Sequence, residues 1–467
     1  MIIKLRNIGP IVATEFELGK LSVISGRNNT GKTYVTYLLY CFLDFWTNVY
    51  VLPLDEKVRH DLVSSGNATL DLHTYVLDAN DILKRASKVF SQPHNLSRVF
   101  ASEIERFKNS EIVVEVNNDE IELNNDVLHN VDFSFGTKNK SYLKVERDKN
   151  LLNIKLLVES IDISVSDSLD ILERAISDII KKIVFSSVIP APFISSAERT
   201  GSAIFQKELD FATSKLVEVL RDKEKIKYFQ PFNFLRSVSS EYPIPVRRNV
   251  DFIRGLSSIE KKRSFIYEEY PSILKDFSDI IGGSYKIDKK NSSIYYIPSK
   301  NKKLKLMMAE SSSCVRSLLD LGYYIKHIAQ KGDLLMIDEP EMNLHPENQI
   351  KVSKLFARLI NAGLKIYITT HSDYILKELS TLVVLKQDNA RIRKIVLEEK
   401  YKEDELLPAA FLRCYTACSK IKRRKSKIDN IELNLCKISQ EFGIVSENFD
   451  DTIKNLNRIQ DRIIWED

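Results

Sequence analysis

The stretch Gly26-Arg27-Asn28-Asn29-Thr30-Gly31-Lys32-Thr33 has the residue types and spacing G-x-x-x-x-G-K-[ST] of a phosphate-binding loop. Two glycines let the backbone curl so that successive N–H groups point at a β-phosphate. Lys32 can reach the β/γ-phosphate oxygens, and the Thr33 hydroxyl can ligate Mg²⁺. Far along the chain, Asp333-Leu334-Leu335-Met336-Ile337-Asp338-Glu339 is an apolar run that ends in two carboxylates. Asp338 is suited to the Mg²⁺ shell, and Glu339 to the base that orients and activates an attacking water. Pro340 and the motif Glu341-x-Asn343-Leu344-His345-Pro346-x-x-Gln349 follow at once. A further apolar run, residues 364–368, finishes in Thr369-Thr370-His371-Ser372, where His371 can hydrogen-bond and sense a γ-phosphate. Between the halves lies Ser311-Ser312-Ser313-Cys314. It opens an apolar-periodic helix, so it is a helix cap and also an anion site.

These groups need elements that aim them. Residues 21–25 read as a buried strand entering the loop, and residues 34–45, apolar and free of Gly and Pro, as the helix leaving it. The helix N-terminus adds its dipole to the phosphate site. Residues 333–339 and 364–370 read as strands delivering polar groups at their C-terminal ends, where open α/β sheets bind ligands. Residues 351–362 read as a helix stopping at Gly363. The N-terminus reads as a hairpin, with Ile2-Ile3-Lys4-Leu5 and residues 12–18 turning at Asn7-Ile8-Gly9-Pro10.

Residues 46–187 interrupt the nucleotide chemistry with an α+β pattern. A hairpin is expected where residues 111–116 and 120–123 flank Asn117-Asn118-Asp119, residues 131–135 and 142–145 alternate likewise, and residues 166–186 read as an amphipathic helix. No sustained heptads argue for a long coiled-coil arm. Residues 188–199 read as a strand ending in Glu198 and Arg199; Arg199 is suited equally to a phosphate contact or to a surface ion pair with Glu198. Helices are expected over 205–227 and 228–275, then three short strands over 280–307.

The chain has 467 residues, enough for two or three domains, and 69 basic against 64 acidic side chains, a net +5 that does not by itself argue for nucleic acid. No run of about 18 apolar residues suggests a membrane span. The N-terminus has no secretory pattern and the five cysteines suit free thiols, so a cytoplasmic protein is expected. Cys414 and Cys418 have helical i, i+4 spacing within a segment, 411–437, that reads as helix. Lys420, Lys422, Arg423, Arg424, Lys425 and Lys427 form a basic run: a solvated face, or a holder of DNA or RNA phosphates. Residues 449–456 read as a capped helix.

The order P-loop, serine-rich signature helix, D-E-P-E-x-x-L-H-P-x-x-Q and T-T-H-S resembles the ABC-type ATPases related to SMC and RecF, closest to the AAA15/OLD-like branch of bacterial anti-phage systems such as Septu, PARIS and retron-associated complexes. The resemblance covers about residues 1–45 and 190–400. It implies an α/β, ABC-type (SMC/RecF-like) P-loop ATPase head. The head comprises residues 1–45 and 188–400, with a helical subregion at 205–280; it is split by the inserted α+β region 46–187 and followed by a C-terminal helical segment, 401–467. It implies ATP and Mg²⁺ as cofactors: the loop residues Gly26 to Thr33 around the phosphates, Thr33 and Asp338 on the metal, Glu339 and His371 in hydrolysis. It also implies a head-to-head homodimer, with room for higher oligomers, in which Ser312 and Ser313 of one copy complete the other's site. Cys314 stands where the family places glycine, which points to slow hydrolysis or dependence on a partner. Gln206 is the candidate for the family's Q-loop glutamine. OLD-like nucleases carry a metal-binding D-x-D pair after the ATPase, and no D-x-D follows Ser372 here. The expected role is therefore an ATPase sensor and scaffold holding a separate effector nuclease of HNH or Toprim type; the alternative is a RecF-like DNA-binding repair ATPase.

Overall fold

The computed structural model describes residues 1–124, 130–134, 141–156, 166–204, 242–288, 293–420 and 430–445, together with Arg458. A nine-stranded mixed sheet organises it. Across the sheet the strands run Glu111–Glu115, Ile2–Ile8, Ile11–Glu17, Asn430–Leu435, Leu412–Lys420, Leu21–Gly26, Lys365–Thr370, Leu334–Asp338 and Pro192–Ser195. The last five are parallel neighbours from Leu412–Lys420 to Pro192–Ser195. The other edge is antiparallel, apart from the single parallel pairing of Ile431 with Ile11.

The central strands are apolar throughout because both faces are covered. Leu334, Met336 and Tyr367 enter one core with the P-loop helix Lys32–Asn48, which buries Val35, Leu38, Phe42 and Trp46 there. Leu335, Ile337, Ile366 and Ile368 enter the other core with helix Pro346–Ala362, through Val352, Leu355, Phe356 and Leu359. That helix stops at Gly363, whose φ of 117° only glycine adopts readily. The N-terminal hairpin forms with Ile2 opposite Glu17 and Ile8 opposite Ile11.

Three expectations are corrected. The C-terminal segment is not helical where it is described: Leu412–Lys420 and Asn430–Leu435 are strands in the middle of the main sheet. Cys414 and Cys418 therefore share a strand rather than a helix face. Cys414 lies in register with Val23 of the P-loop strand. A short run of β-branched, aromatic and small residues is ambiguous between the two states, and pairing with a distant strand decides it. Second, Glu111–Glu115 does not turn back on residues 120–123. It pairs antiparallel with Ile2–Ile8, and Asn118–Glu120 forms a 3₁₀ turn. The insertion thus lends the main sheet an edge strand, and only its remaining strands form a separate four-stranded sheet, in the order Asn67–Asp71, Leu151–Leu156, Ser141–Asp148 and Asn130–Ser134. Third, the strand leading to Arg199 is confined to Pro192–Ser195, since Pro190 and Pro192 supply no N–H to a ladder.

Helix Ser166–Ile180 continues into a π-helical turn, Lys181–Phe185. Gly283–Ile287, Ile294–Pro298 and Leu306–Met307 make a small antiparallel sheet. Gln206, the helix at 205–227, the basic run beyond Lys420 and the helix at 449–456 lie outside the described residues. No described helix is long and apolar enough to cross a membrane.

Candidate nucleotide site

The loop begins where strand Leu21–Gly26 ends. Gly26 has φ 147° and Gly31 φ 80°, and a Cβ on Gly31 would lie 2.8 Å from Pro10 Cγ. Glycine is thus required at Gly31 both by conformation and by the hairpin turn pressed against it. Arg27, Asn28 and Asn29 are exposed at the rim. The Thr30 hydroxyl donates to Arg27 O at 2.8 Å. Lys32 is buried and curls back over the loop, its Nζ donating to Gly26 O (2.9 Å) and Arg27 O (2.8 Å). Burial lowers the Lys32 pKa, and Glu339, Asp338 and Glu341 act against that. These three carboxylates, some three hundred residues away in sequence, therefore share the lysine's surroundings.

Parallel pairing delivers them. Asp338 lies opposite Thr369 in the register of strands Leu334–Asp338 and Lys365–Thr370. The Thr369 hydroxyl donates to Asp338 Oδ1. Desolvation raises the Asp338 pKa to about 6, against the hydroxyls of Thr369 and Thr33. Oδ2 is buried and accepts no hydrogen bond among the described residues. A buried carboxylate oxygen left over beside a threonine hydroxyl and a loop lysine fits a hard divalent cation.

Glu339 has φ 51°, unusual for a side chain of its size, and its N–H donates to Thr369 O at 3.1 Å. Glu341 is the residue whose importance the motif alone did not reveal. Its Oε1 accepts from the Thr370 hydroxyl (2.9 Å) and the His371 N–H (2.7 Å), and lies 3.1 Å from His371 Nδ1. His371 Nδ1 is 3.7 Å from Glu339 Oε1. Glu341 thus fixes the histidine's backbone and ring together, leaving the half-exposed imidazole free to turn its other nitrogen outward. Gln349 locks the next residue, accepting from the Ser372 hydroxyl at 2.5 Å.

Arg199 is neither of the things its sequence context suggests. It is buried and, among the described residues, donates only to backbone carbonyls: Ser317 O from Nε (2.9 Å), Ser196 O and Asp338 O from Nη1 (3.0 and 2.7 Å), and Glu339 O from Nη2 (2.8 Å). Glu198 instead accepts from the Tyr37 hydroxyl at 2.7 Å. A charged side chain written next to an acid carries no mark of being turned inward, so sequence reasoning could not find this.

The serine cluster is not drawn into the same cradle. Exposed Ser312 caps the short helix Ser313–Ser317, accepting from Val315 N at 3.3 Å, and Ser311 donates to Met308 O at 2.7 Å. No described hydrogen bond joins Ser312 or Ser313 to the P-loop or to Asp338. Cys314 Sγ lies 3.7 Å from Asn348 Nδ2, so the position where glycine was expected is tied to the helix after the acidic motif.

Comparison with known proteins agrees with this chemistry. The AAA_15 family model, described as an AAA ATPase domain, matches residues 1–376. No curated protein matches. Among solved structures, the SMC head domain from Thermotoga maritima is 10% identical, with 94% of this chain and 98% of that one covered and a TM-score of 0.31. The Smc head domain with an extended coiled coil bound to the C-terminal domain of ScpA, from Pyrococcus furiosus, is 11% identical, with 98% of each chain covered at 0.30. The SmcHead bound to the C-winged helix domain of ScpA is 9% identical, with 93% and 97% covered at 0.34. TM-scores this low describe a loose likeness only.

Proposed function

We infer the function from one premise: the chain belongs to the AAA_15 family of AAA ATPase domains, whose model matches it over residues 1–376. On that premise we propose that it binds ATP with Mg²⁺ and hydrolyses the nucleotide as the sensor and scaffold subunit of a bacterial anti-phage complex, controlling a separate effector nuclease of HNH or Toprim type. The observation that carries the ATPase reading is the gathering of Lys32, Asp338, Glu339 and Glu341 at the C-terminal ends of adjacent parallel strands.

In this reading the loop amides of Gly26 to Thr33 cradle the phosphates, and Lys32 leaves the carbonyls of Gly26 and Arg27 for the β/γ-oxygens. Thr33 and Asp338 hold Mg²⁺, which supplies positive charge against the phosphate oxygens. Glu339 takes the proton of the attacking water. His371, held by Glu341, donates to the γ-phosphate. Ser312 and Ser313, exposed or half-exposed and outside their own chain's cradle, serve the site of a second copy in an ATP-closed homodimer. The family resemblance supports the defence role. The basic run from Lys420 favours a second reading, a RecF-like ATPase clamping DNA.

The mass of purified Glu339→Gln protein, with and without ATP and co-expressed with the neighbouring gene, separates the two. A stable assembly containing the neighbour's product is expected for the scaffold. A lone protein that dimerises with ATP, and whose wild type turns over ATP faster on DNA, would move the assignment to repair.

A further inference from the structure

We propose that Arg199 is a positioning residue for hydrolysis: its buried guanidinium holds the Glu339 peptide in the one conformation that aims the carboxylate, and clamps the signature segment to it. This rests on the ATPase reading above. Glu339 is held at φ 51°, a region that a glutamate enters only when its surroundings dictate it. Three contacts supply that dictation. The Glu339 N–H is tied to Thr369 O and Oγ1 (3.1 and 3.2 Å), and its carbonyl is tied to Arg199 Nη2 at 2.8 Å. The third is local: the Met342 N–H also donates to Glu339 O, at 3.1 Å, within the turn that follows, so Arg199 is the donor that ties this oxygen to the rest of the fold.

The same planar fork reaches three other carbonyls. Nη1 takes Asp338 O and Ser196 O, and Nε takes Ser317 O at the end of helix Ser313–Ser317. One rigid group thus joins the strand that carries the metal-binding and basic carboxylates, the loop after Pro192–Ser195, and the serine-bearing helix. A guanidinium suits this because its donors are fixed in a plane and it stays charged at every working pH, whereas a lysine offers a single point charge. Buried Asp320 lies within the guanidinium's field: burial raises its carboxyl above the usual range, Arg199 acts against that rise, and the carboxylate accepts from the Ser195 hydroxyl at 2.6 Å. Arg199 points at carbonyls rather than into the cradle, so it acts through Glu339 and the signature segment and touches no reacting atom.

The test uses full-length Arg199→Lys and Arg199→Ala proteins, each also made on the Glu339→Gln background, with steady-state ATP hydrolysis and titration of a fluorescent ATP analogue in Mg²⁺. We expect kcat to fall at least 100-fold for Arg199→Ala and at least 10-fold for Arg199→Lys, with KM and analogue affinity within threefold of wild type. On the Glu339→Gln background neither substitution should lower kcat further, because the group it positions is already gone. If the alanine variant does not fold, the lysine variant alone decides. A wild type that turns over ATP while Arg199→Lys keeps kcat within threefold overturns the positioning role. Equal, additive losses on both backgrounds, with affinity falling in step, overturn it too and leave Arg199 a purely structural brace. A folded wild type that binds but never hydrolyses ATP instead overturns the ATPase reading on which the role depends.

Discussion

Lys32 and Glu339 are separated by more than three hundred residues, yet the Glu339 carboxylate works against the lowering that burial imposes on the Lys32 pKa, and each residue yields a direct expectation. Lys32→Ala removes the only cation that the described contacts place over the loop carbonyls, and a charge-assisted phosphate contact is worth roughly 3 kcal/mol, or about 100-fold in affinity. Titration with a fluorescent ATP analogue should show that loss; retention of wild-type affinity would remove Lys32 from the phosphate site. Glu339→Gln keeps shape and hydrogen-bonding reach but cannot take a proton, so kcat should fall by about 10²- to 10⁴-fold while ATP still binds. A glutamine variant with normal turnover would reassign the base. Of the residues around this site, those in the loop and the two carboxylates were legible from spacing alone, because phosphate chemistry demands them in that order. Glu341 and Arg199 were not, since their roles lie in which backbone groups they meet after folding.

At the scale of elements, the turn into strand Leu334–Asp338 stores a titratable cost. Asp333 accepts from Gln330 N at 2.9 Å, and burial nonetheless pushes its carboxyl up to about 6. The folded value lies above the unfolded one, so folding disfavours the ionised form. The cost is absent below about pH 4, grows between 4 and 6, and is full above 6. Two units correspond to about 3 kcal/mol, discounted to roughly 1–2 kcal/mol because the side chain is half-buried. Asp333→Asn, which can still accept from Gln330, should therefore stabilise the protein at pH 7.5 by that amount and give no gain at pH 4. Denaturant unfolding at the two pH values checks this; a pH-independent gain would place its cause elsewhere. Gly26 offers a second test. A Cβ there would lie 3.0 Å from Ala417 O at φ 147°, so Gly26→Ala should cost roughly 1–3 kcal/mol by strain and by displacing the neighbouring strand. Unchanged stability would show that strand Leu412–Lys420 yields freely.

At the scale of the whole molecule, the family match stops at residue 376, yet the sheet does not. Strand Leu412–Lys420 pairs along the P-loop strand from Leu21 to Gly26, and Asn430–Leu435 connects it to the N-terminal hairpin. Removing them splits the nine-stranded sheet and exposes Leu21, Val23 and Ile24, each buried at 0% exposure. A chain shortened to residues 1–405 should lose cooperative unfolding and nucleotide binding together. A soluble 1–405 protein that binds ATP with full affinity would show that the two strands are dispensable.

The sequence by itself marked the loop, the carboxylate pair and the histidine as one candidate site, and determined the apolar core strands that end in them. Phosphate binding imposes residue types at short range, and strands buried on both faces are apolar without interruption. Tertiary structure alone decided three things: that the segment after residue 411 is strand, that the insertion lends the edge strand Glu111–Glu115, and that Arg199 turns inward beneath Asp338 and Glu339. Each depends on a partner far away in the chain. A strand edge left open by one segment, or a carbonyl with room for a further donor in another, is met by whichever distant residue the packing brings to it, and local pattern carries no record of that meeting.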